Sequence, residues 1–141
     1  MVCQEYTYAY GAVSIKDGQW DSLVLPETNT RCMQIFLDEV AGRYPGERIV
    51  MVHDGATWHR GAALIVPKNM KLLPLPAYSP ELNPVENIWE EVREKGFYNR
   101  VFDSLDALEE ELICGLTRLE EYPEIPKSIS AWEWIVNAIY I

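Results

Sequence analysis

Apolar positions along the chain switch between two periods, and the switches mark its elements. Tyr6, Tyr8, Tyr10, Ala12 and Ser14 alternate with Thr7, Ala9, Gly11 and Val13, a period of two in aromatic and β-branched residues that predicts a strand. Lys16-Asp17-Gly18-Gln19 follows as a hairpin turn, with a glycine free to take positive φ. Trp20 to Leu25 returns as a second strand, closed by Pro26. The period then lengthens. Met33, Phe36, Leu37 and Val40 fall at i, i+3, i+4 and i+7, predicting a helix with Asn29 or Thr30 as its cap and Tyr44-Pro45-Gly46 as its stop. Ile49-Val50-Met51-Val52 is an unbroken apolar run between charged neighbours, the pattern of a central strand buried on both faces. Met70 to Leu75 reads as a further strand, set at an edge by its prolines.

The second half is helical in pattern. Asn83-Pro84-Val85-Glu86 opens a helix whose apolar face is Val85, Ile88, Trp89 and Val92 and which stops at Gly96. Leu105, Leu108, Leu112, Leu116 and Leu119 mark another, with the glutamates 109–111 largely on its solvent side. Pro123 to Pro126 reads as a linker. Beyond it Ser130-Ala131-Trp132-Glu133 forms a capping box before a short final helix with Trp134, Ile135, Ala138 and Ile139 inward. Strands alternating with helices place the chain in the α/β class, and 141 residues suit a single domain.

Composition narrows the function. Hydrophobic residues at 48% rule out wholesale disorder, and no apolar run approaches the ~20 residues of a membrane span. The first residues show no basic stretch followed by an apolar core, so no secretory signal is expected. Cys3, Cys32 and Cys114 have no paired spacing and read as reduced thiols of a cytoplasmic protein. Twelve Lys+Arg against 22 Asp+Glu leave a net charge of −10. Nucleic-acid binders normally carry a basic footprint, so bulk electrostatics do not draw this chain to DNA. An acidic domain still acts on DNA where another segment binds and metal ions neutralise its site.

Two carboxylates stand out by position. Asp54 follows the Ile49–Val52 run, at the end of a strand where open α/β sheets hold their ligands. Glu86 lies in the first turn of a predicted helix. Converging carboxylates suit Mg²⁺, a hard ion that takes oxygen ligands. Each also has a plainer reading: Glu86 stands three residues after Asn83, as in a capping box, and Asp54-Gly55 fits an ordinary turn. His53 and His59 lack a matching third ligand, and a packed or hydrogen-bonded role suits both better than metal binding.

The combination is more specific than its parts. His53-Asp54-Gly55-Ala56-Thr57-Trp58-His59-Arg60, followed by Leu75-Pro76-Ala77-Tyr78-Ser79-Pro80-Glu81-Leu82-Asn83-Pro84-Val85-Glu86-Asn87-Ile88-Trp89, closely resembles the bacterial insertion-sequence transposases of the mariner superfamily. The hairpin with Tyr10-Gly11-Ala12-Val13 and Asp17-Gly18 matches the same family. The resemblance covers residues 6–97 strongly and the helical tail, 103–141, loosely. It implies a DDE endonuclease with an RNase H-like fold, a mixed sheet flanked by helices. Such enzymes cut and rejoin DNA at element ends, using three acidic residues that hold two Mg²⁺ or Mn²⁺ ions. By motif, Asp54 matches the second acidic residue and Glu86 the third. Asn83 and Pro84 would then set the helix angle, and Trp58 and His59 would line the approach. Arg60, Lys68 and Lys71 are weaker candidates for phosphate contact, with solvation as their plainer reading.

Where the family carries its first Asp, on a strand ahead of the hairpin, residues 1–5 offer only Glu5, out of position. Asp17 and Asp21 fall at the turn and the following strand and do not substitute. The expectation is a partial catalytic domain, lacking the first and central strand, that cleaves DNA weakly or not at all by itself. The missing segment would come from a longer or split gene product, or the chain is a decayed remnant. DNA is the expected partner of the complete protein, with a homodimer as one expected assembly. A second reading is a non-catalytic interaction module derived from such a domain, whose acidic helix after Ser104 docks a basic partner.

Overall fold

A computed structural model describes residues 8–14, 16–53, 64–74, 84–97 and 101–130. Strand β1 (Tyr8–Val13) pairs antiparallel with β2 (Trp20–Leu25), in register from Tyr8 opposite Leu25 to Val13 opposite Trp20. Gly18 closes the hairpin at φ +78°, and its N–H donates to the Ser14 carbonyl at 2.8 Å. A Cβ at this position would lie 2.1 Å from the Pro123 carbonyl oxygen. The turn is therefore seated directly on the chain that opens the last described helix. Gly18→Ala is expected to cost about 1–3 kcal/mol, from left-handed backbone strain and the forced separation, read as a lower urea midpoint. Gly42→Ala, where a Cβ meets nothing within 4 Å, is the control and leaves the midpoint unchanged or raised.

Helix α1 (Thr30–Arg43) is capped by the Asn29 side chain, which accepts from the Cys32 N–H at 2.8 Å. Its buried stripe of Met33, Phe36, Leu37 and Val40 is the predicted one. Strand β3 (Ile49–His53) runs parallel to β4 (Met70–Pro74), with Ile49 opposite Met70 and His53 opposite Pro74. Two side-chain amides fasten the chain entering β4 to α1. Gln34 accepts from the Ile65 N–H at 2.8 Å and donates to its carbonyl at 2.7 Å, and Asn69 donates to the carbonyls of Ala41 and Tyr44.

Both strand pairs rest on α1. Tyr8, Tyr10, Ala12, Leu23 and Leu25 of the hairpin, and Ile49, Met51, Met70 and Leu72 of the parallel pair, join α1 in one apolar cluster. The hairpin's other face, including Trp20, Ala9, Val13 and Val24, meets a second cluster. This one is built on α2 (Val85–Val92), α3 (Leu105–Glu121) and α4 (Glu124–Ser130). The hairpin is thus a middle layer between α1 and the later helices. Ser104 caps α3 by accepting from the Ala107 N–H, and α2 passes into a π-helical turn, Arg93–Phe97.

Two expectations are corrected. The Ile49–Val52 run is not buried on both faces, since Val50 and Val52 are exposed. Alternate residues of a strand point to opposite sides, and the described helices cover only one side of this pair. The span from Pro123 to Pro126 is not a linker but the approach and first turn of α4, with Pro126 buried. The first N–H groups of a helix have no carbonyl to meet, so a proline among its first residues removes no hydrogen bond. Ser130 ends α4, and the expected final helix lies outside the described residues. Among the described residues the strands form two separate two-stranded sheets rather than one mixed sheet.

Candidate functional site

Glu86 is the second residue of α2, two after Pro84, which occupies the cap position without a side-chain cap bond. The helix thus starts one residue later than a capping box from Asn83 to Glu86 would place it. The Glu86 carboxylate is exposed and makes no hydrogen bond or ion pair among the described residues. The helix beneath it is firmly held. Ile88 is fully buried, and Trp89 meets Trp20 edge-on, ring centroids 5.2 Å apart at 81°. Both rings crowd over Gly11, where a Cβ would lie 2.2 Å from Trp20 and 2.9 Å from Trp89. Only a glycine in β1 lets α2 come this close to the hairpin, so Gly11 sets the depth at which Glu86 is presented.

The second carboxylate, Asp54, lies outside the described residues, as do Trp58, His59, Arg60 and Asn83. His53, half-buried at the carboxyl end of β3, is the described residue that leads into Asp54. Lys71 is exposed opposite Val50, and Lys68 is exposed in the turn before β4. In a parallel pair, that turn is at the opposite end from His53, about 16 Å away at 3.3 Å per residue. Among the described residues no three His, Cys, Asp or Glu side chains gather as a metal site. A cleft of about 160 Å³ opens between α2, the π-helical turn and α3, lined by Glu91, Lys95, Phe97 and Arg118, and Glu86 is not part of it.

The densest polar network was invisible in the sequence. Arg43, at the end of α1, donates to Asp21 at 2.9 Å, Glu39 at 3.0 Å and Glu120 at 3.4 Å. The Tyr44 hydroxyl donates to the other Asp21 oxygen at 2.8 Å. Glu120 of α3 also accepts from the Ser22 N–H and hydroxyl at 3.0 and 3.1 Å. Asp21 is buried with both oxygens committed, which accounts for its carboxylate as a structural one. Burial, then the Asp21 hydrogen bond and charge, push the Tyr44 phenol well above its ordinary value of 10.0. A raised phenol pKa favours folding below the unfolded value and loses that contribution as pH climbs through the folded one. Stability is therefore expected to fall more steeply above about pH 10 in the parent than in Tyr44→Phe, checked by urea midpoints from pH 8 to 11.

No described helix is long and apolar enough to cross a membrane. A protein of Sinorhizobium fredii (strain NBRC 101917 / NGR234), described as uncharacterized protein y4pE/y4sA, is 37% identical over 130 residues, covering 92% of this chain and 96% of that protein. No solved structure matches. The sequence model of the family described as DDE superfamily endonuclease matches residues 4–109, a stretch that runs from ahead of the hairpin through Asp54 and Glu86 into α3. The chain therefore belongs to the DDE superfamily endonucleases.

Proposed function

We propose that this chain is the catalytic core of a bacterial insertion-sequence transposase of the mariner superfamily. In this reading it works in the cytoplasm, on DNA, with Asp54 and Glu86 as two of three acidic residues. The observation that carries the reading is Glu86, an exposed carboxylate with no partner among the described residues, on a helix anchored by Ile88 and Trp89, inside the stretch that matches the family. A carboxylate left unpaired at a helix start is available to something outside the fold.

Endonucleases of this superfamily generally use divalent metal ions. The described residues contribute one hard oxygen donor, Glu86, and do not by themselves form a metal centre. We take the ion to be Mg²⁺ or Mn²⁺ and Asp54 and Glu86 as its ligands. When bound, it would neutralise charge at the scissile phosphate. Pro84 starts α2 and fixes the direction from which Glu86 approaches, with Asn83 before it. Trp58 and His59 are assigned to the walls of the approach, and Arg60, Lys68 and Lys71 to phosphate contact.

The fold reading is an RNase H-like sheet whose first strand belongs between β1 and β3. Two open strand edges support it. Ser14 and Gln19 form a hydrogen-bonded pair across the hairpin, so alternation turns the backbone groups of Ala9, Gly11 and Val13 outward from β1. Ile49 donates to Asn69, so those of Val50 and Val52 turn away from β4. None of these five has a backbone partner at that edge among the described residues. The strand that fits would carry the first Asp and be supplied by a longer or split gene product.

The test is metal-dependent nicking of element-end DNA. The chain alone is expected to show little or no cleavage. Joined to a segment that supplies a first strand with its Asp, it is expected to cleave with Mg²⁺ or Mn²⁺, and Asp54→Ala to abolish that activity. Robust cleavage that survives Asp54→Ala would overturn the assignment. No cleavage in any form would favour the interaction module.

A further inference from the structure

The cleft between α2, the π-helical turn and α3 opens on a different side of α2 from Glu86. Glu91, which lines it, follows Glu86 by five residues, about 140° round the helix. The floor is apolar, made by Val92 and Leu119, both buried, with Ile125 of α4. Two observations separate it from an ordinary surface dent. One wall is the π-helical turn, a rare conformation that recurs at functional sites. The other carries Gly115, in the interior of α3, where a Cβ would meet nothing within 4 Å. Glycine weakens a helix interior, and no close neighbour demands it here, so this residue keeps space open rather than relieving a clash.

The charges round the rim select the occupant. Lys95 on one wall and Arg118 on the other make no side-chain hydrogen bond or ion pair among the described residues. Glu91 and Glu111 stand beside them. A polyanion such as DNA, or a doubly charged phosphate, therefore meets more repulsion here than a single carboxylate does. The Arg118 guanidinium is a planar fork that matches a carboxylate. A volume of about 160 Å³ is room for one ring, since an apolar cavity of about 150 Å³ takes up benzene. We propose that this cleft binds a small aromatic carboxylate of one ring, with the ring on Val92, Leu119 and Ile125 and the carboxylate between Lys95 and Arg118. The site is separate from the one assigned to Asp54 and Glu86 and does not depend on that assignment.

Cys114 reports on occupancy, because it is exposed and lines the cleft, whereas Cys32 is buried. In the full chain with Cys3→Ser, its alkylation by neutral iodoacetamide is followed by intact mass. Benzoate at about 10 mM is expected to slow the reaction about tenfold, as a Kd of about 1 mM gives. Acetate and benzamide at the same concentration are expected to leave the rate within about twofold. Arg118→Gln, at an exposed position, is expected to remove most of the protection. Gly115→Leu fills the cleft with a better helix former, so protection is lost while the urea midpoint holds or rises. No slowing by benzoate would overturn the proposal, and so would equal slowing by acetate or benzamide. Protection that survives in Arg118→Gln or in Gly115→Leu would overturn it as well.

Discussion

Glu86→Gln is expected to eliminate DNA cleavage by the completed enzyme while leaving the fold almost untouched. The substitution keeps the side chain's length and removes only its charge. Glu86 is exposed and bonded to nothing described, so its structural contribution is limited to a negative charge at a helix start, worth about 0.3–1 kcal/mol. Loss of an outer-shell partner at a metal site typically costs about 10–100-fold, and loss of a ligand itself should exceed the upper end of that range. Nicking rate and thermal midpoint therefore separate the two roles. A carboxylate that merely favours the helix dipole gives a slightly lower midpoint and full cleavage. A carboxylate that serves the reaction gives a nearly unchanged midpoint and cleavage reduced by more than about 100-fold. Glu90→Gln, one turn further along α2 and ion-paired with Arg93 on the surface, is the matched control and should leave the rate unchanged.

Ile88→Ala carries the largest expected loss of stability, about 2–5 kcal/mol. The side chain has 0% exposure and sits where α2 meets the hairpin and α3, in contact with the cluster of Trp20, Val92, Leu116 and Leu119. Truncation there removes transfer energy and leaves a cavity whose walls, two of them on a strand and a long helix, cannot easily collapse. Against a total stability of about 5–15 kcal/mol for a domain of this size, such a loss is a large fraction. Urea unfolding followed by tryptophan fluorescence measures it, because Trp20 and Trp89 line the affected region. Val101→Ala, at a position 96% exposed, should shift the midpoint by less than about 0.5 kcal/mol. A small loss for Ile88→Ala would mean that α2 is not anchored as described, and with it the presentation of Glu86.

Much of this fold was legible because its signals are local. The alternation around Tyr8 and Tyr10, the glycine turn at Gly18 and the stripe of Met33, Phe36, Leu37 and Val40 each declare an element within a few residues. Ile49 to Val52 misled because a continuous apolar run reports composition, not what lies on each side of the strand. Pro123 and Pro126 misled because proline breaks helices in their interiors, whereas α4 meets them at its start. The Arg43 network had no sequence signature at all, since Glu120 reaches Ser22 across 98 positions. Of the candidate site, Glu86 was singled out through the string around Asn83-Pro84. Gly11 was not, because its role depends on two tryptophan rings that arrive from β2 and α2.

The Glu120 carboxylate takes the Ser22 N–H on the outer margin of the hairpin, a group that a neighbouring strand would otherwise claim. That protection comes late in synthesis. Ser22 leaves the ribosome 98 residues ahead of Glu120, and at about 5–20 residues per second the interval is on the order of 5–20 s. Throughout it the nascent hairpin is complete yet unguarded on that side. On polysomes, where many such chains are held close together, this interval is when one nascent β2 can pair with another, and its length is set by how far along the gene the codon for Glu120 lies.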